Sequence, residues 1–230
     1  MKKKKIILMR HGESKWNKLN KFTGWQDIGL TKNGKKEAKL AAKLIKKNNF
    51  IFDIAYTSIL KRAIYTLWII LKKTNQIWIP VYKSWKLNER NYGALEGLNK
   101  EKIKKKYGDE QVQLWRRSFT VCPPNLNISN KYHPIYDIKY KKLKKHELPT
   151  SESLEMTFNR VIPFWEFKIL PQLEKNKNIL IVAHGNSLRA LIKYLGNISD
   201  SDIIDLDIST GKPLVYEFSN TNKPLKYYYL

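Results

Sequence analysis

Two of the four histidines in the chain share one sequence context. His11 follows the apolar residues 6–9 and one arginine, His184 follows the apolar residues 179–182 and one alanine, and a glycine comes directly after each. If the two apolar runs are neighbouring strands of an open α/β sheet, both imidazoles lie at its carboxyl edge, where such folds bind ligands. Either histidine alone could simply precede a turn, but the shared pattern predicts a site with two facing imidazoles.

Arginines near these histidines indicate which ligand the site would take. Arg10 directly precedes His11, and Arg62 stands near the start of a predicted helix, also at the carboxyl edge. A guanidinium binds phosphate oxygens through paired charge-assisted hydrogen bonds. We therefore expect the two arginines and the two imidazoles to hold a tetrahedral phosphoryl dianion.

Transfer of that phosphoryl group needs a nucleophile and a proton donor. A neutral imidazole can attack phosphorus and form a phosphohistidine, while nearby cations neutralise the equatorial oxygens. The same cations disfavour the protonated form of His11. Glu89 is the best candidate for the general acid and base, although from spacing alone it could equally form a surface ion pair with Arg90.

The sequence lacks the motifs of nucleotide-dependent or metal-assisted chemistry. The phosphate loops G-x-x-x-x-G-K-[ST] and G-x-G-x-x-G are absent, as is H-E-x-x-H, and Cys122 is the only cysteine. No acidic cluster at a strand end offers ligands for magnesium. We expect phosphoryl transfer without a metal.

Short apolar runs alternate with helical patterns along the chain, which predicts the α/β class. Helices are predicted at residues 31–47, 60–71, 154–169 and 187–195. Strands are predicted at residues 6–9, 51–56, 78–82, 179–182 and 214–218, of which 214–218 is the final strand. Thr31 is the expected cap of the first helix, whose buried face is expected to carry Leu40, Ala41, Leu44 and Ile45. Pro80 suggests that the third strand lies at an edge.

Residues 85–149 break this rhythm and are too long for an ordinary loop. We predict a single domain over residues 1–230, with an inserted lid or subdomain at 85–149 that has some helix of its own. His133 and His146 lie in this irregular segment, away from any strand end, and are expected to be exposed.

The chain carries a formal net charge of +24, from 44 Lys and Arg against 20 Asp and Glu. Such a charge is typical of nucleic-acid-binding proteins. Lysine nevertheless far outnumbers arginine and is spread along the whole chain, whereas a nucleic-acid surface more often clusters its charge and uses arginine. We expect no nucleic-acid partner.

Several motifs carry a resemblance to a known family. They are Arg10-His11-Gly12-Glu13-Ser14-x-Trp16-Asn17, Phe22-Thr23-Gly24-Trp25, Lys61-Arg62-Ala63, Leu87-Asn88-Glu89-Arg90, Tyr92-Gly93-x-Leu95-x-Gly97-Leu98-Asn99-Lys100, Trp115-Arg116-Arg117 and Ala183-His184-Gly185-Asn186-Ser187. Over residues 6–229 the chain resembles the cofactor-dependent phosphoglycerate mutases of the histidine phosphatase superfamily. The resemblance implies a three-layer α/β/α fold with a mostly parallel central sheet. It also implies interconversion of 3-phosphoglycerate and 2-phosphoglycerate in glycolysis and gluconeogenesis, primed by 2,3-bisphosphoglycerate and without a metal.

The resemblance implies a role for each matching residue. His11 would be the phosphorylated nucleophile, Glu89 the proton donor and acceptor, and His184 a group that stabilises the transition state. The transferring phosphoryl group would be held by Arg10, Asn17, Arg62, Gly185 and Asn186. The rest of the phosphoglycerate would be held by Ser14, Thr23, Gly24, Arg90, Tyr92, Lys100, Arg116 and Arg117. Arg160 and Arg189 fall on predicted helices, away from the proposed anion site, and we expect them to form ordinary ion pairs.

Two departures from the family pattern affect these expectations. Asn91 stands where the family usually has a histidine, so no acid role is expected there. The sequence ends at Leu230, without the tail of small and charged residues that typical members fold over the site. We expect a more open site, and therefore appreciable release of phosphate from the bisphosphoglycerate.

Two other functions remain open at this point. A broad phosphatase, or a bisphosphoglycerate phosphatase, would use the same phosphohistidine but release inorganic phosphate. A nucleic-acid-binding domain would instead show salt-sensitive binding that does not need His11. Because no apolar window is long enough to cross a bilayer, we expect no membrane partner and a cytoplasmic location. The relatives suggest a homodimer.

Overall fold

The computed structural model describes residues 4–230, in which six strands form one sheet. The strands are β1 Lys4–Arg10, β2 Ile54–Thr57, β3 Val81–Lys83, β4 Ile179–Ala183, β5 Pro213–Phe218 and β6 Pro224–Tyr229. Their order is β3-β2-β4-β1-β5-β6. The pairs β3·β2, β2·β4 and β4·β1 are parallel. The pairs β1·β5 and β5·β6, at one edge of the sheet, are antiparallel. The prediction of an α/β fold with a mostly parallel sheet is confirmed.

Helices cover both faces of the sheet. The described residues form the α-helices α1 Lys15–Lys18, α2 Lys32–Lys47, α3 Lys61–Thr74, α4 Lys100–Tyr107, α5 Asp109–Arg117, α6 Leu154–Phe164, α7 Leu170–Glu174 and α8 Gly185–Gly196. Alternate side chains of β1 enter different cores: Ile6 and Leu8 pack with α6 and α8, whereas Ile7 and Met9 pack with α2 and α3. This alternation follows from the two-residue period of a strand and gives the sheet two buried faces. No helix within residues 4–230 has both the length and the apolar content needed to cross a membrane.

The first long helix begins and ends where the sequence predicts, but its buried face differs. The Thr31 side chain accepts a hydrogen bond from Gly34 N at 2.9 Å and caps α2. The buried residues of α2 are small apart from one: Gly34, Ala38, Ala41, Ala42 and Ile45. Leu40 and Leu44 are 57% and 36% exposed, so their predicted burial is wrong. These small residues form the face of α2 that packs against the sheet and α3, and the two leucines lie outside that face.

Two strand predictions are corrected. The third strand is β3, Val81–Lys83, and not residues 78–82. Pro80 lacks an N–H for the ladder and precedes the strand, while Trp78 is exposed; the predicted edge position is confirmed. The predicted final strand, β5, is followed by β6, which pairs with it across a turn at Asn222. The exposed pattern of β6 has no apolar alternation and so gave no signal.

The predicted helix over residues 154–169 is not one regular α-helix. It consists of α6 and a π-helical stretch, Trp165–Ile169, which leads directly into α7. Pro163 and Pro171 each remove one N–H from the regular hydrogen-bond series, which favours a local change of helix type.

Residues 85–149 contain α4, α5 and several 3₁₀ turns. Two small apolar clusters join this segment to the loop after α1. Phe22 packs with Leu95, Ile103, Val112 and Trp115, and Trp25 packs with Tyr140 and Leu148. The segment is thus anchored beside residues 22–25, on the side of the sheet where the histidines lie.

Candidate active site

The site begins where β1 and β4 end side by side. The last residue of β1, Arg10, pairs with Ala183, the last residue of β4, and His11 N donates to the Ala183 carbonyl at 3.0 Å. The chain then places the His11 and His184 rings together, with centroids 5.0 Å apart and planes at 63°. Both rings are buried. Parallel pairing of these strands is therefore what brings two histidines that are 173 positions apart in the chain into one site.

Hydrogen bonds determine which nitrogen of His11 carries the proton. Nδ1 lies 2.7 Å from the Gly12 carbonyl oxygen, which can only accept, so the hydrogen is on Nδ1. Nε2 then has a free lone pair and accepts from Arg62 Nε at 3.3 Å. Burial, together with the charges of Arg62 and Arg10, holds the pKa of His11 well below its usual value, and the Gly12 hydrogen bond opposes this only in part. His11 is neutral, and its nucleophilic nitrogen Nε2 carries no proton.

His184 has one bonded and one unbonded ring nitrogen. Its Nε2 lies 2.7 Å from Ser58 Oγ, and its Nδ1 is buried with no hydrogen-bond partner among the described residues. Burial, followed by the charges of Arg62 and of the neighbouring His11, lowers the pKa of His184 well below its usual value. The ring is neutral, and Ser58 is a partner that the sequence analysis missed because nothing in a lone serine marks it.

Arg62 links the nucleophile to the loop after α1. It lies in the first turn of α3, is 1% exposed, and donates to the carbonyls of Gly24 at 2.7 Å and Gln26 at 2.8 Å. Gly24 has φ of +51°, a conformation that favours glycine, and a side chain there would overlap Glu96. Burial lowers the pKa of Arg62 to about 10, so the guanidinium remains charged at neutral pH.

Arg10 is held in a similar way. Its Nη1 donates to the Ile208 carbonyl at 2.8 Å, while its Nε is buried without a partner among residues 4–230. A Cβ at Gly185 would lie 3.6 Å from the guanidinium carbon and 3.6 Å from Glu89 Oε2. Gly185 thus leaves room for the arginine and the carboxylate to flank one space.

Glu89 is buried, so the alternative of a surface ion pair with Arg90 is wrong. Its Oε1 accepts from the backbone N–H groups of Arg90 at 2.8 Å and Asn186 at 3.0 Å. Its Oε2 accepts no hydrogen bond from the described residues and adjoins the space beside Gly185. One carboxylate oxygen is anchored and the other is available to exchange a proton.

His11, Arg62, Arg10 and Glu89 line one cavity of about 110 Å³. It contains most of the residues that the sequence analysis assigned to the site: Arg10, His11, Asn17, Thr23, Gly24, Arg62, Glu89, Tyr92, Lys100, Arg116, Arg117, Gly185 and Asn186. Arginine and lysine side chains dominate the charged lining, and among residues 4–230 its acidic members are Glu89 and Asp207. Such a cavity suits a small anion with more than one negative charge.

Three predicted residues lie behind the lining. Ser14 caps α1 and donates to Asn17 Oδ1 at 2.8 Å. Arg90 is fully buried and donates to Tyr92 Oη and to the Arg116 carbonyl. The third is His184, whose ring packs against the ring of His11 on the side away from the cavity. The structure therefore places these three where they can support lining residues.

Lys100 and Tyr92 form one wall of the cavity. Burial lowers the pKa of Lys100, and this exceeds the opposite effect of Tyr92. Burial alone would raise the pKa of Tyr92, but the charges of Arg90 and Lys100 and the hydrogen bond from Arg90 lower it overall. Arg116 makes no ion pair among the described residues, whereas Arg117 binds Asp207 at 3.0 Å. The two neighbouring arginines therefore differ in their freedom to meet a ligand.

The cavity also has members that the sequence analysis did not assign: Lys21, Phe22, Arg189, Asp207 and Ile208. The prediction of an ordinary ion pair for Arg189 is wrong, because its buried guanidinium donates to Asn186 Oδ1 and to the carbonyls of Arg117 and Ile203. Arg160 does bind a carboxylate, Glu152, but both are buried. Arginine is scarce in this chain, and that scarcity is a signal that could have marked both residues.

Within residues 4–230, no group of three or more His, Cys, Asp or Glu side chains is arranged to hold a metal ion. His133, predicted to be exposed, is only 3% exposed: its Nδ1 accepts from Ile135 N at 3.2 Å and caps a 3₁₀ turn whose first residue, Pro134, is also buried. His146 is exposed, as expected.

The chain matches the family model described as histidine phosphatase superfamily (branch 1) over residues 6–129 and 125–229, and it belongs to this superfamily. Membership makes it a phosphoryl-transfer enzyme.

Solved structures share its fold at low sequence identity. A mycobacterial glucosyl-3-phosphoglycerate phosphatase superposes with a TM-score of 0.74 at 18% identity, covering 98% of this chain and 97% of its own. A putative alpha-ribazole-5'-P phosphatase from Escherichia coli gives 0.71 at 20%, covering 99% and 97%. The alpha-ribazole phosphatase from Shigella flexneri gives 0.69 at 22%, covering 96% and 94%.

Proposed function

We propose that the protein is a phosphatase that hydrolyses a small, multiply charged phosphate monoester through a phosphohistidine at His11. The observation that carries the proposal is a neutral His11, its lone pair on Nε2, in a cationic cavity with the free oxygen of Glu89. The superfamily assignment and the phosphatase names of the similar structures support it.

In the first step, His11 Nε2 attacks phosphorus as the bond from phosphorus to the ester oxygen breaks. The Glu89 carboxyl group gives its proton to that oxygen, and the alcohol leaves. The result is a phosphohistidine and a Glu89 carboxylate. The Nδ1–H of His11 keeps its hydrogen bond to the Gly12 carbonyl, which maintains the ring orientation.

In the second step, water attacks the phosphohistidine. The Glu89 carboxylate takes a proton from the water while the bond from phosphorus to Nε2 breaks, so that inorganic phosphate forms and both residues return to their initial states. Water is thus the only reactant besides the ester.

Charge on the transferring group would be neutralised by Arg10 and Arg62, with Asn17, Gly185 and Asn186 at its other oxygens. The His184 ring lies behind the lining, where it packs against His11 with its Nε2 bonded to Ser58 Oγ, and would support the orientation of the nucleophile. These groups are already in place, which is what stabilisation of a phosphoryl transition state requires.

The rest of the substrate would meet a second group of cations. Lys21, Lys100 and Arg116 line the same cavity, and no salt bridge among the described residues occupies them. They favour a leaving group that carries a carboxylate or a further phosphate, within a few atoms of the ester. The backbone and side chains of Thr23, Gly24 and Tyr92 complete this part of the lining.

A mutase acting on phosphoglycerates, primed by 2,3-bisphosphoglycerate, is the second candidate. Lys100 and Arg116 favour it, since a mutase must retain a doubly phosphorylated intermediate and exclude water. Two contacts weigh against strong retention: Arg90 is directed to Tyr92 and the Arg116 carbonyl, and Arg117 is paired with Asp207.

The two candidates predict different products from one substrate. With 3-phosphoglycerate, a phosphatase releases inorganic phosphate, and 2,3-bisphosphoglycerate does not stimulate it; a mutase forms 2-phosphoglycerate, detected with enolase, and is stimulated by the primer. His11→Ala should abolish either activity. Isomerisation far faster than phosphate release would establish the mutase instead, and full activity of His11→Ala would contradict both.

A further inference from the structure

Arg160 on α6 has every one of its hydrogen-bond donors in use. Its Nε and Nη2 bind the two oxygens of Glu152 at 2.7 and 2.9 Å. Nη1 donates to the carbonyls of Lys86 at 2.7 Å and Asn88 at 3.0 Å, and Nη2 donates to the carbonyl of Glu89 at 3.0 Å. A guanidinium has five N–H groups, and here five acceptors meet them. Three of these acceptors belong to the backbone that carries Glu89.

Glu152 fixes the backbone that follows Glu89, at Asn91. Its Oε2 accepts from Asn91 N at 2.8 Å, and its own backbone N–H donates to the Asn91 carbonyl at 2.8 Å. The ion pair is buried, with side-chain exposures of 6% and 4%. The backbone on either side of Glu89 is therefore fixed by one charged pair that does not touch the cavity.

The position of backbone residues 86–91 determines where the Glu89 carboxylate lies. Its Oε1 is anchored by two backbone N–H groups, those of Arg90 and Asn186. Arg90 N moves with residues 86–91, whereas Asn186 N belongs to α8. A shift of residues 86–91 would separate the two anchors and withdraw Oε2 from the ester oxygen, and a general acid acts only within hydrogen-bond reach of its proton acceptor.

We propose that Arg160, held by Glu152, is a positioning residue for the general acid Glu89. This inference rests on the proposed phosphohistidine chemistry. Stability alone is a poor reason for such a pair, because buried ion pairs often contribute little net stability over apolar residues of the same volume. A planar fork that meets three carbonyls and a carboxylate is also a task that lysine, with three donors on one nitrogen, cannot perform.

The test uses two substrates that differ in their need for a proton. 3-Phosphoglycerate has an alkoxide leaving group that needs protonation, whereas the nitrophenolate of 4-nitrophenyl phosphate leaves readily without it. Because Glu89 also serves as the base in the second step, which both esters share, the comparison uses kcat/KM, which reports only the first step. For Arg160→Lys we expect kcat/KM on 3-phosphoglycerate to fall by about 100-fold, at the lower end of what general acid catalysis contributes, with little change in kcat/KM on 4-nitrophenyl phosphate. KM should change little, and the alkaline limb of the pH profile for 3-phosphoglycerate should flatten.

Matched variants make the comparison specific. Glu89→Gln should show the same selectivity in stronger form. Arg62→Lys should lower both activities together, because Arg62 faces the phosphoryl group. Ile162→Val, also buried on α6, should show no selectivity between the two substrates.

The outcomes separate the inference from the proposed function. Parallel loss on both substrates in Arg160→Lys, or no loss on either, would overturn the positioning role. If Arg160→Lys lacks a cooperative thermal transition, Glu152→Gln is decided by the same ratio of activities. A wild-type protein that acts on neither substrate would overturn the proposed function itself.

Discussion

At the scale of single residues, His11 shows how neighbours set reactivity. The Gly12 carbonyl holds the proton on Nδ1, and burial of the ring together with the charges of Arg62 and Arg10 opposes a second proton. The ring is therefore ready to attack without a base to deprotonate it. A solvent-exposed histidine is substantially protonated near its usual pKa, and a protonated Nε2 has no lone pair with which to attack phosphorus.

The protonation state of His11 can be measured directly. We expect the ¹⁵N NMR signals of His11, assigned with His11→Asn, to stay those of a neutral Nδ1–H ring at pH 6, because burial and the two arginines lower its pKa. Inorganic phosphate should raise that pKa, since a bound dianion offsets the arginine charges. A protonated ring at pH 6 without phosphate would contradict this account.

Glu96 offers a second test at this scale, on stability. Its carboxylate accepts from the N–H groups of Trp25 and Tyr92 and from the Gln26 side chain, yet burial raises its pKa from 4.5 to about 7. The native state thus binds more protons than the unfolded state between these values, so this residue lowers stability as pH rises through that window.

We expect Glu96→Gln to remove this effect. Relative to the wild type, its free energy of unfolding should improve by about 2 kcal/mol between about pH 5 and pH 8, a figure reduced from the full shift because Glu96 is not fully buried. Denaturant unfolding of both proteins across this range gives the difference, in which all other titrating groups cancel. Parallel curves for the two proteins would show that Glu96 ionises normally.

At the scale of elements, the loop after β1 is held against the start of α2. Thr31 N and the Thr31 hydroxyl donate to the Glu13 carbonyl, and Glu13 N donates to Glu37 Oε2 at 2.8 Å. A Cβ on Gly12 would overlap the Gly34 carbonyl, and a Cβ on Gly34 would overlap the Glu13 backbone. Backbone thus packs on backbone here, and the position of His11 depends on it.

Gly34→Ala should separate the loop from the helix. We expect a loss of roughly 1–3 kcal/mol in stability, because a backbone neighbour cannot turn aside as a side chain can. Activity should fall by about 100-fold, as expected for a catalytic group displaced by about 1 Å. Thermal unfolding and phosphate release measure the two effects.

Gly29→Ala is the control for that substitution. Its Cβ would meet only Lys61 Cε, at 3.9 Å, so both stability and activity should remain near wild type. Equal behaviour of the two variants would mean that the close approach at Gly34 does not position the loop.

At the scale of the whole molecule, the net charge of +24 and the cationic cavity act on the same anion. The distributed lysines attract any anion over distances up to about a Debye length, whereas the cavity arginines bind it by direct contact. Charge on the surface therefore affects the rate of encounter, and charge in the cavity affects the bound state.

Salt should distinguish these two contributions. We expect kcat/KM to fall several-fold between about 0.02 and 0.3 M ionic strength, while kcat changes little, because screening acts on encounter more than on the bound ester. Arg116→Gln should lower kcat/KM at every salt concentration, and Lys46→Gln, on the exposed end of α2, should be close to wild type. An activity independent of salt would argue against steering by the net charge.

The sequence by itself determined the α/β class, the two strands that end in histidine and most of the residues that line the cavity. Those features are local: an apolar run, a glycine after a histidine, or an arginine where lysine is the common cation. Periodicity could not locate β6, whose side chains are exposed, nor the outward turn of Leu40 and Leu44.

Only the tertiary structure decided the proton position on His11, the burial of Glu89 and the backbone contacts of Arg160 and Arg189. Each depends on acceptors supplied by segments far apart in the chain, such as the carbonyls of Lys86 and Glu89 for Arg160 on α6. A side chain's type states what it can donate. Which acceptors it meets, and with how little water, is settled when the segments pack together.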